Sequence, residues 1–522
     1  VSSSKVLSMA SLPCHPSIYE INTAVWLTSL SQKYQTPIQL HTIPDEEITR
    51  LAQLHINAVW LMGVWERGSA TRASALNYIH EYRSALPDIR PADVIGSAYA
   101  IHDYVVDPMW GGRSALAAFR RRLARHGIQL ILDFVPNHVA VDHPAMMAHP
   151  EYFVLGTQEL LAHDTTNFFL ARGKNGAETV FAHGRDPYFP GWIDTTQWNA
   201  FDPGYRQWAI ETLQTIADQC DGVRCDMAML MLNAVFAQTW GWLQKTPPPA
   251  EDFWMQVIPK VKASHPHFAF IAEAYWNMEY TLQTQGFDFT YDKTLYDRIV
   301  QGDTPGIRAH LTADVPYLKK NIRFIENHDE PRAAAAIGID RSRPAATLIA
   351  TLPGAVLWHD GQMTGRQTKL PVHIARQPRE TDHPLLDEFY HTLLEETDNE
   401  VYKHGTWTLF QCYAACQTCP GAENLIAYGW RHGDDYRLIV INMANSSSLG
   451  IVNLNSWSNV LRGHTWQLYD VLSHDYQEEA GVRLANEGLR VDLDAYQSHI
   501  YHVRRQRQPL TQRLKTVLLP SH

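Results

Sequence analysis

The sequence predicts an α/β fold: a TIM (β/α)8 barrel, with a small domain inserted after strand 3 and an antiparallel β-sandwich at the C-terminal end. Three observations lead there. Short β-branched and aromatic runs at 222–224, 268–272 and 322–325 alternate with helix-period stretches, as in repeated strand and helix units. Each of these runs leads to a carboxylate: Asp226 in DGVRCDMA, Glu273 in FAFIAEAYW and Asp329 in IRFIENHDE. Parallel strands put all three acids on one face, and in a closed barrel the C-terminal strand ends form the catalytic face. Beyond about residue 400 the pattern becomes short alternating strands divided by turn signals, which fits a sandwich.

The elements follow in order. SIYEINTAVWL reads as the first strand, DEEITRLAQL as a helix and INAVWLMGVW as the second strand. Ser114 is expected to cap ALAAFRRRLARH, where Leu116, Phe119 and Leu123 form one stripe, and Gly127 to end it. QLILDFVPNH is the third strand and carries Asp133, Asn137 and His138 into a loop. Asp226 lies about 90 residues after Asp133, against the roughly 30 of one strand–helix unit, so about 60 residues are inserted. RPAATLIATL reads as a helix and 355–358 as the eighth strand, followed by Asp360, Gln362 and Arg366 in a loop facing the cleft. NLIAYGWR, HGDD and YRLIVINM form a hairpin, and WQLYDVLS and SHIYHV continue the sandwich. The expected boundaries are 15–138 plus 205–400 for the barrel, 139–204 for the insert, 401–505 for the sandwich and 506–522 for a basic, partly apolar tail. The sandwich carries no acid constellation and is expected to pack against the barrel.

Composition narrows the class. A chain of 522 residues buries a large core and needs two or three modules. A net charge of −11 without a concentrated basic face argues against nucleic acid as a partner. Sixteen Trp and 23 Tyr suit carbohydrate surfaces, although large α/β cores also use Trp. No apolar run reaches the length of a membrane span, and the first 20 residues lack a secretory layout. A cytoplasmic home is expected, with secretion after removal of a leader as the alternative. Six cysteines give little support to a disulfide framework. Cys225 reads as a buried thiol, and CYAACQTC as free thiols at Cys412, Cys416 and Cys419 or one local disulfide, since it lacks a fourth metal ligand at standard spacing.

A single acid at a strand end ordinarily caps a helix or pairs with a base. Four such endings, each also carrying Arg, His or Asn, point to a site. Arg224 lies two residues before Asp226 on the same strand face, where it can hold the acid ionised as a nucleophile requires. Glu273 sits among Ala272, Ala274, Tyr275 and Trp276, an apolar setting that raises a carboxyl pKa toward use as a general acid.

These stretches resemble the short sequence regions of the α-amylase family of retaining glycoside hydrolases, glycoside hydrolase family 13. DFVPNH is similar to its Asp-x-x-x-Asn-His region, GVRCD to Gly-x-Arg-x-Asp, IAEAYW to the strand-five glutamate region and FIENHD to Phe-x-x-Asn-His-Asp. Tyr99 and Asp103 in GSAYAIHDY keep a Tyr-x-x-x-Asp spacing, and PGWIDTTQWN and LPGAVLWHDGQ extend the likeness over roughly 15–505. The resemblance implies a double displacement at an α-glucosidic carbon, with Asp226 as nucleophile, Glu273 as acid and Asp329 gripping the 2- and 3-hydroxyls. It also implies substrate-binding roles for Tyr99, Asp103, His138, Arg224, His328, Asp360 and Arg366. Trp192 and Asp194 are candidates for a cleft wall built by the insert, beside the alternative that they are structural. Asn137 holds the position that in many members helps bind a structural calcium, which is optional in this reading because the chemistry runs on carboxylates.

One departure bears on substrate. Members that bind long α-1,4 chains commonly have a His four residues after the nucleophile, and here that position is Leu230 in DMAMLML. Members resembling trehalose synthases also lack it and share the Ala272–Ala274 and Asn327–Glu330 wording. Met227, Met229 and Leu230 could equally be packing residues, compatible with either substrate class. The reading is a hydrolase acting on short maltooligosaccharides or disaccharides, with a transglycosidase or sugar isomerase as the alternative and a catalytically silent scaffold as the third. Oligomeric state is not read from the sequence.

Overall fold

The computed structural model describes residues 11–506 except 174, 175, 246, 418 and 420. The tail beyond 506 therefore lies outside the described residues. Eight strands close into a parallel barrel: β1 (Ser17–Asn22), β2 (Ala58–Met62), β3 (Gln129–Phe134), β4 (Gly222–Cys225), β5 (Ala269–Ala272), β6 (Phe289–Tyr291), β7 (Asn321–Arg323) and β8 (Ala355–His359). Each strand pairs in parallel with its sequence neighbours, and β8 closes on β1 through Ser17 opposite Val356 and Glu20 opposite His359. β2, β3, β4, β5 and β8 are buried along their whole length, which explains their near-continuous apolar runs.

Two local expectations are corrected. The first strand stops at Asn22, and Thr23–Lys33 is a helix, because the Asn22 side chain accepts the N–H of Val25 at 3.2 Å and caps a new turn. Ser114 is inside its helix, not at its cap. The helix runs Gly112–Arg125, and Gly111 precedes it at φ 95°, where a Cβ would meet Ala115. Gly127, at φ 73°, follows its end.

The long excursions leave from the C-terminal ends of the strands. After β2, Ser69–Asn77 is a helix. After β3, the chain runs out through His138–Ala140 and returns through Thr195–Gln197, an antiparallel pair that forms the root of the insert. A hairpin of Phe168–Arg172 with Glu178–Ala182 lies between them.

By compactness the chain forms two units. One holds the barrel strands and both excursions, and comprises the chain up to Tyr296, Pro316–Ala336 and Gly354–His383. The other holds Asp297–Val315, Ile337–Pro353 and the chain from Pro384 onward. The helices Gly338–Thr351 and Pro384–Thr397 thus group with the C-terminal strands. Within that second unit a six-stranded antiparallel sheet and a three-stranded one share a core that includes Leu425, Leu438, Trp457, Val491 and Val503. The expected hairpin is present: Leu425–His432 pairs with Asp435–Asn442 across a two-residue turn whose first member, Gly433, has φ 59°. Cys416 and Cys419 form a local disulfide, and Cys225 is a buried free thiol.

Candidate active site

Arg224 is at the centre. It is fully buried near the end of β4, and Nη1 donates to Asp226 Oδ1 at 2.7 Å while Nη2 lies 2.8 Å from Glu273 Oε2. Asp329 Oδ2 and Asp133 Oδ1 stand farther off, at 3.9 and 4.0 Å. The rings of Trp60, Tyr99 and Tyr291 surround the guanidinium, with centroids at 5.2, 5.3 and 5.8 Å. The adjacent ends of β4 and β5 explain why Asp226 and Glu273 meet: Cys225 stands opposite Ala272, one residue before each acid.

The acids occupy different environments. Glu273 is buried and accepts from Met227 N at 2.6 Å and Tyr275 Oη at 2.8 Å. Burial pushes its carboxyl up to about 7, Asp226 and Asp329 push the same way, and Arg224 opposes them. Asp133 is also raised by burial, to about 6, although Arg224 and the Gly63 N–H act against the rise. Asp133 has a structural role, accepting from Trp60 Nε1 and Gly63 N, each at 3.1 Å. Asp329 is the open member, with 43% of its side chain exposed. Burial of its surroundings works against its charge, but His328 outweighs that and holds it well below the usual carboxylate range.

His328 is held from both sides. Its Nδ1 is 2.5 Å from Glu20 Oε1 on β1, and its Nε2 is 2.9 Å from Asp329 Oδ2 and 2.7 Å from Tyr99 Oη. Burial disfavours its charge, yet Asp329 and Glu20 more than offset this and raise it to about 10. It therefore stands as an imidazolium between two carboxylates. Tyr99 stacks on its ring at 5.4 Å.

The family model for the α-amylase catalytic domain matches residues 45–197. α-Amylase MalA of Haloarcula japonica is 24% identical over 360 residues, 67% of this chain and 44% of that protein. The likeness is thus to the α-amylase family, and the matched catalytic-domain stretch covers less than a third of the chain. It spans about half or less of the length of the curated relatives it matches. Among solved structures it resembles a maltogenic α-amylase, AmyB, from Thermotoga neapolitana (TM-score 0.64, 19% identity, 95% of this chain and 99% of that one). It also resembles the acarbose complex of an α-amylase from Geobacillus thermoleovorans (TM-score 0.66, 16% identity, 95% and 100%). At these identities the structural likeness speaks to the fold.

The remaining candidates divide into two groups. His138 is buried beside Trp192, ring centroids 5.0 Å apart, and burial lowers its pKa. Asp194 accepts from Thr71 Oγ1 at 2.6 Å, joining the two excursions. Asp360 accepts from Tyr19 Oη at 2.8 Å and lines a recess with Asn327, His328, His359 and Lys369. Asp103, by contrast, is exposed on a strand paired antiparallel with Trp65–Arg67, outside the barrel and the cluster. Arg366 folds over Gly361 within its own loop, and it is Lys369 that donates to the carbonyl of Asp329. Leu230 is buried in a one-turn helix at Ala228–Met231, so its side chain packs inward.

Asn137 does not fit a cation site, because its side-chain oxygen accepts from Gln197 Nε2 at 2.8 Å. Among the described residues no group of three or more His, Cys, Asp or Glu is gathered as a metal site, and no helix is long and apolar enough to cross a membrane. Glu20 and Lys369 escaped sequence reasoning. Glu20 sits inside the first strand with no motif of its own, and only barrel closure brings it to His328.

Proposed function

We propose that this chain is a retaining enzyme acting on α-glucosidic bonds of short maltooligosaccharides or disaccharides. The observation that carries the proposal is the single guanidinium of Arg224 spanning Asp226 at 2.7 Å and Glu273 at 2.8 Å. Two carboxyls held by one fork suit the close spacing of about 5–5.5 Å in retaining enzymes better than the wider gap that admits a water. Their environments also differ as the roles require. Asp226 accepts a charge-assisted hydrogen bond and is suited to attack the anomeric carbon. Glu273 carries its proton near neutral pH and is suited to deliver it to the leaving oxygen. The attack forms a glycosyl ester on Asp226 and breaks the glycosidic C–O bond. In the second step Glu273 takes a proton from the incoming hydroxyl as the ester is cleaved. Asp329, kept ionised by His328, would accept hydrogen bonds from sugar hydroxyls, with Tyr99 as a stacking face.

Two features support short substrates. Leu230 is buried in its own turn, so the position four residues after Asp226 supplies no polar contact to a bound chain. The 69–95 excursion is also fastened to the loop after β8 by Arg376, which bonds Asp88 and Asp93 at 2.8–3.1 Å, and by Ala375 N to Asp93 O at 2.9 Å. Loops joined across the catalytic face favour a pocket over an open groove.

Glucosyl transfer is the second reading, favoured by one observation. Tyr188 and Phe189 are 61% and 65% exposed, and Tyr188 meets Trp276 edge-on at 5.0 Å, three residues beyond Glu273. Trp276 and Asn277 both hold left-handed backbone, φ 60° and 59°, a cost found at functional sites. Such rings could seat an acceptor sugar. The test is product analysis over time with maltose, maltotriose, soluble starch, sucrose and trehalose, using the enzyme and Asp226→Asn. Glucose released from short substrates, and absent with the variant, supports hydrolysis. Longer or isomerised sugars at early times move the assignment to transfer. Full activity in Asp226→Asn refutes the nucleophile.

A further inference from the structure

Asn137 stands where the chain leaves the barrel after β3, and Gln197 ends the strand on which it returns. The two residues are locked together. Gln197 is completely buried, and its Nε2 lies 2.8 Å from Asn137 Oδ1, 2.9 Å from the Asn137 carbonyl and 3.0 Å from the Trp198 carbonyl. The orientation of the carboxamide is determined by its other end, since Oε1 accepts the N–H of Arg185 at 3.2 Å. Reversing it would set an oxygen against three acceptors and two amide groups against each other at Arg185. Three oxygens converging on one point in a dry interior repel one another unless something positive lies between them. A hard cation is one solution, and it would need contacts of about 2.3–2.6 Å with no N–H among its ligands. Here the spacing is that of hydrogen bonds, and the point of convergence is held by an –NH2 group whose two hydrogens serve three acceptors.

We propose that the Gln197 carboxamide takes the place of a divalent cation at the root of the excursion, so that 138–197 is anchored to the barrel without metal. The register supports this: Gln197 faces His138 across the antiparallel pair, one residue from the barrel exit, and Trp198 N returns a hydrogen bond to the Asn137 carbonyl at 3.0 Å. Removing the amide hydrogens would expose the oxygens to each other. Adding a fourth oxygen would create a site that only a cation can satisfy. The inference concerns the scaffold and stands whichever sugar reaction the enzyme performs.

The test uses the full chain, with thermal melts in chelator and in millimolar calcium, and terbium luminescence sensitised by the adjoining Trp198. The wild-type protein should melt within about 1 °C of the same temperature in both conditions and give no sensitised terbium emission. Gln197→Glu should melt about 5 °C or more lower in chelator, recover most of that in calcium, and bind terbium that calcium displaces. Gln197→Met, which has no donor and no oxygen, should be destabilised and indifferent to calcium. Wild-type stability that falls in chelator and returns with calcium overturns the proposal. So does terbium bound by the wild-type protein, a calcium-indifferent Gln197→Glu, or a Gln197→Met as stable as wild type. If Gln197→Glu does not fold, the wild-type and Gln197→Met melts still decide.

Discussion

One cation, Arg224, faces four carboxylates, and the competition among them sets the chemistry at the residue scale. Asp226 accepts a hydrogen bond from Arg224 at 2.7 Å, while burial raises Glu273 to about 7 and Asp133 to about 6 against the pull of the same guanidinium. An acid with a pKa near 7 is protonated below that value, so kcat/KM on a natural glucoside should fall as pH rises through about 7, as a pH profile would show. Glu273→Gln should lower turnover of a natural glucoside about 10²–10⁴-fold while sparing the first step with glucosyl fluoride; equal loss on both contradicts its role as acid. Glu20 acts through His328. Glu20→Gln removes one of the two anions holding the imidazolium, so the pKa of His328 should fall from about 10 toward the ordinary value near 6.5. The contact of His328 with Asp329 would then be lost on the alkaline side. With glucosyl fluoride, which needs no acid, the variant should gain an alkaline decline that the wild type lacks, and imidazole nitrogen NMR should show His328 titrating. A uniform loss at all pH values would mark Glu20 as structural only. The same linkage reaches stability: a histidine raised to about 10 stabilises the fold below about 6.5, and that contribution disappears as pH rises through 10.

At the scale of elements, the barrel supplies the acids and the excursions shape access to them. The helix Ser69–Asn77, the turn around Asp93 and the loop after β8 share a small apolar cluster of Ala75, Tyr82, Leu86, Val94 and Ile374. Arg376 binds two carboxylates at its edge, and its side chain is 20% exposed, so the pair with Asp93 is partly shielded from water. Arg376→Ala should loosen this join. The expected result is little change on maltose and a relative gain of several-fold on soluble starch, measured as the ratio of the two kcat/KM values. An unchanged ratio would mean that the join does not limit chain length. This device was not legible in the sequence, because RSALPDIRPADV and PVHIARQ carry no motif and lie nearly 300 residues apart. The expected Ser114 cap failed for a related reason. A serine before a helical stripe is a good local signal, but Gly111 turns the chain earlier, and the helix begins there.

For the whole molecule, the only disulfide among the described residues ties Cys416 to Cys419, three positions apart. A loop this short constrains the unfolded chain by about 2 kcal/mol, which in a protein of this size moves Tm by about 2 °C. Melting with and without reductant should differ by no more than that; a loss of 10 °C or more would mean that the bond supports a larger structure. The sequence by itself determined the barrel, the four strand-end motifs and the sandwich, because strand period, turn residues and the chemistry of Asp226, Glu273 and Asp329 are local properties of the chain. Only the tertiary structure decided that Glu20 grips His328, that Lys369 and not Arg366 reaches Asp329, that Asp103 faces solvent and that Gln197 fills the oxygen cluster at Asn137. Three of these are contacts between residues distant in sequence, and the exposure of Asp103 follows from packing around it; no local pattern encodes which distant side chain barrel closure and loop packing will bring to a given atom.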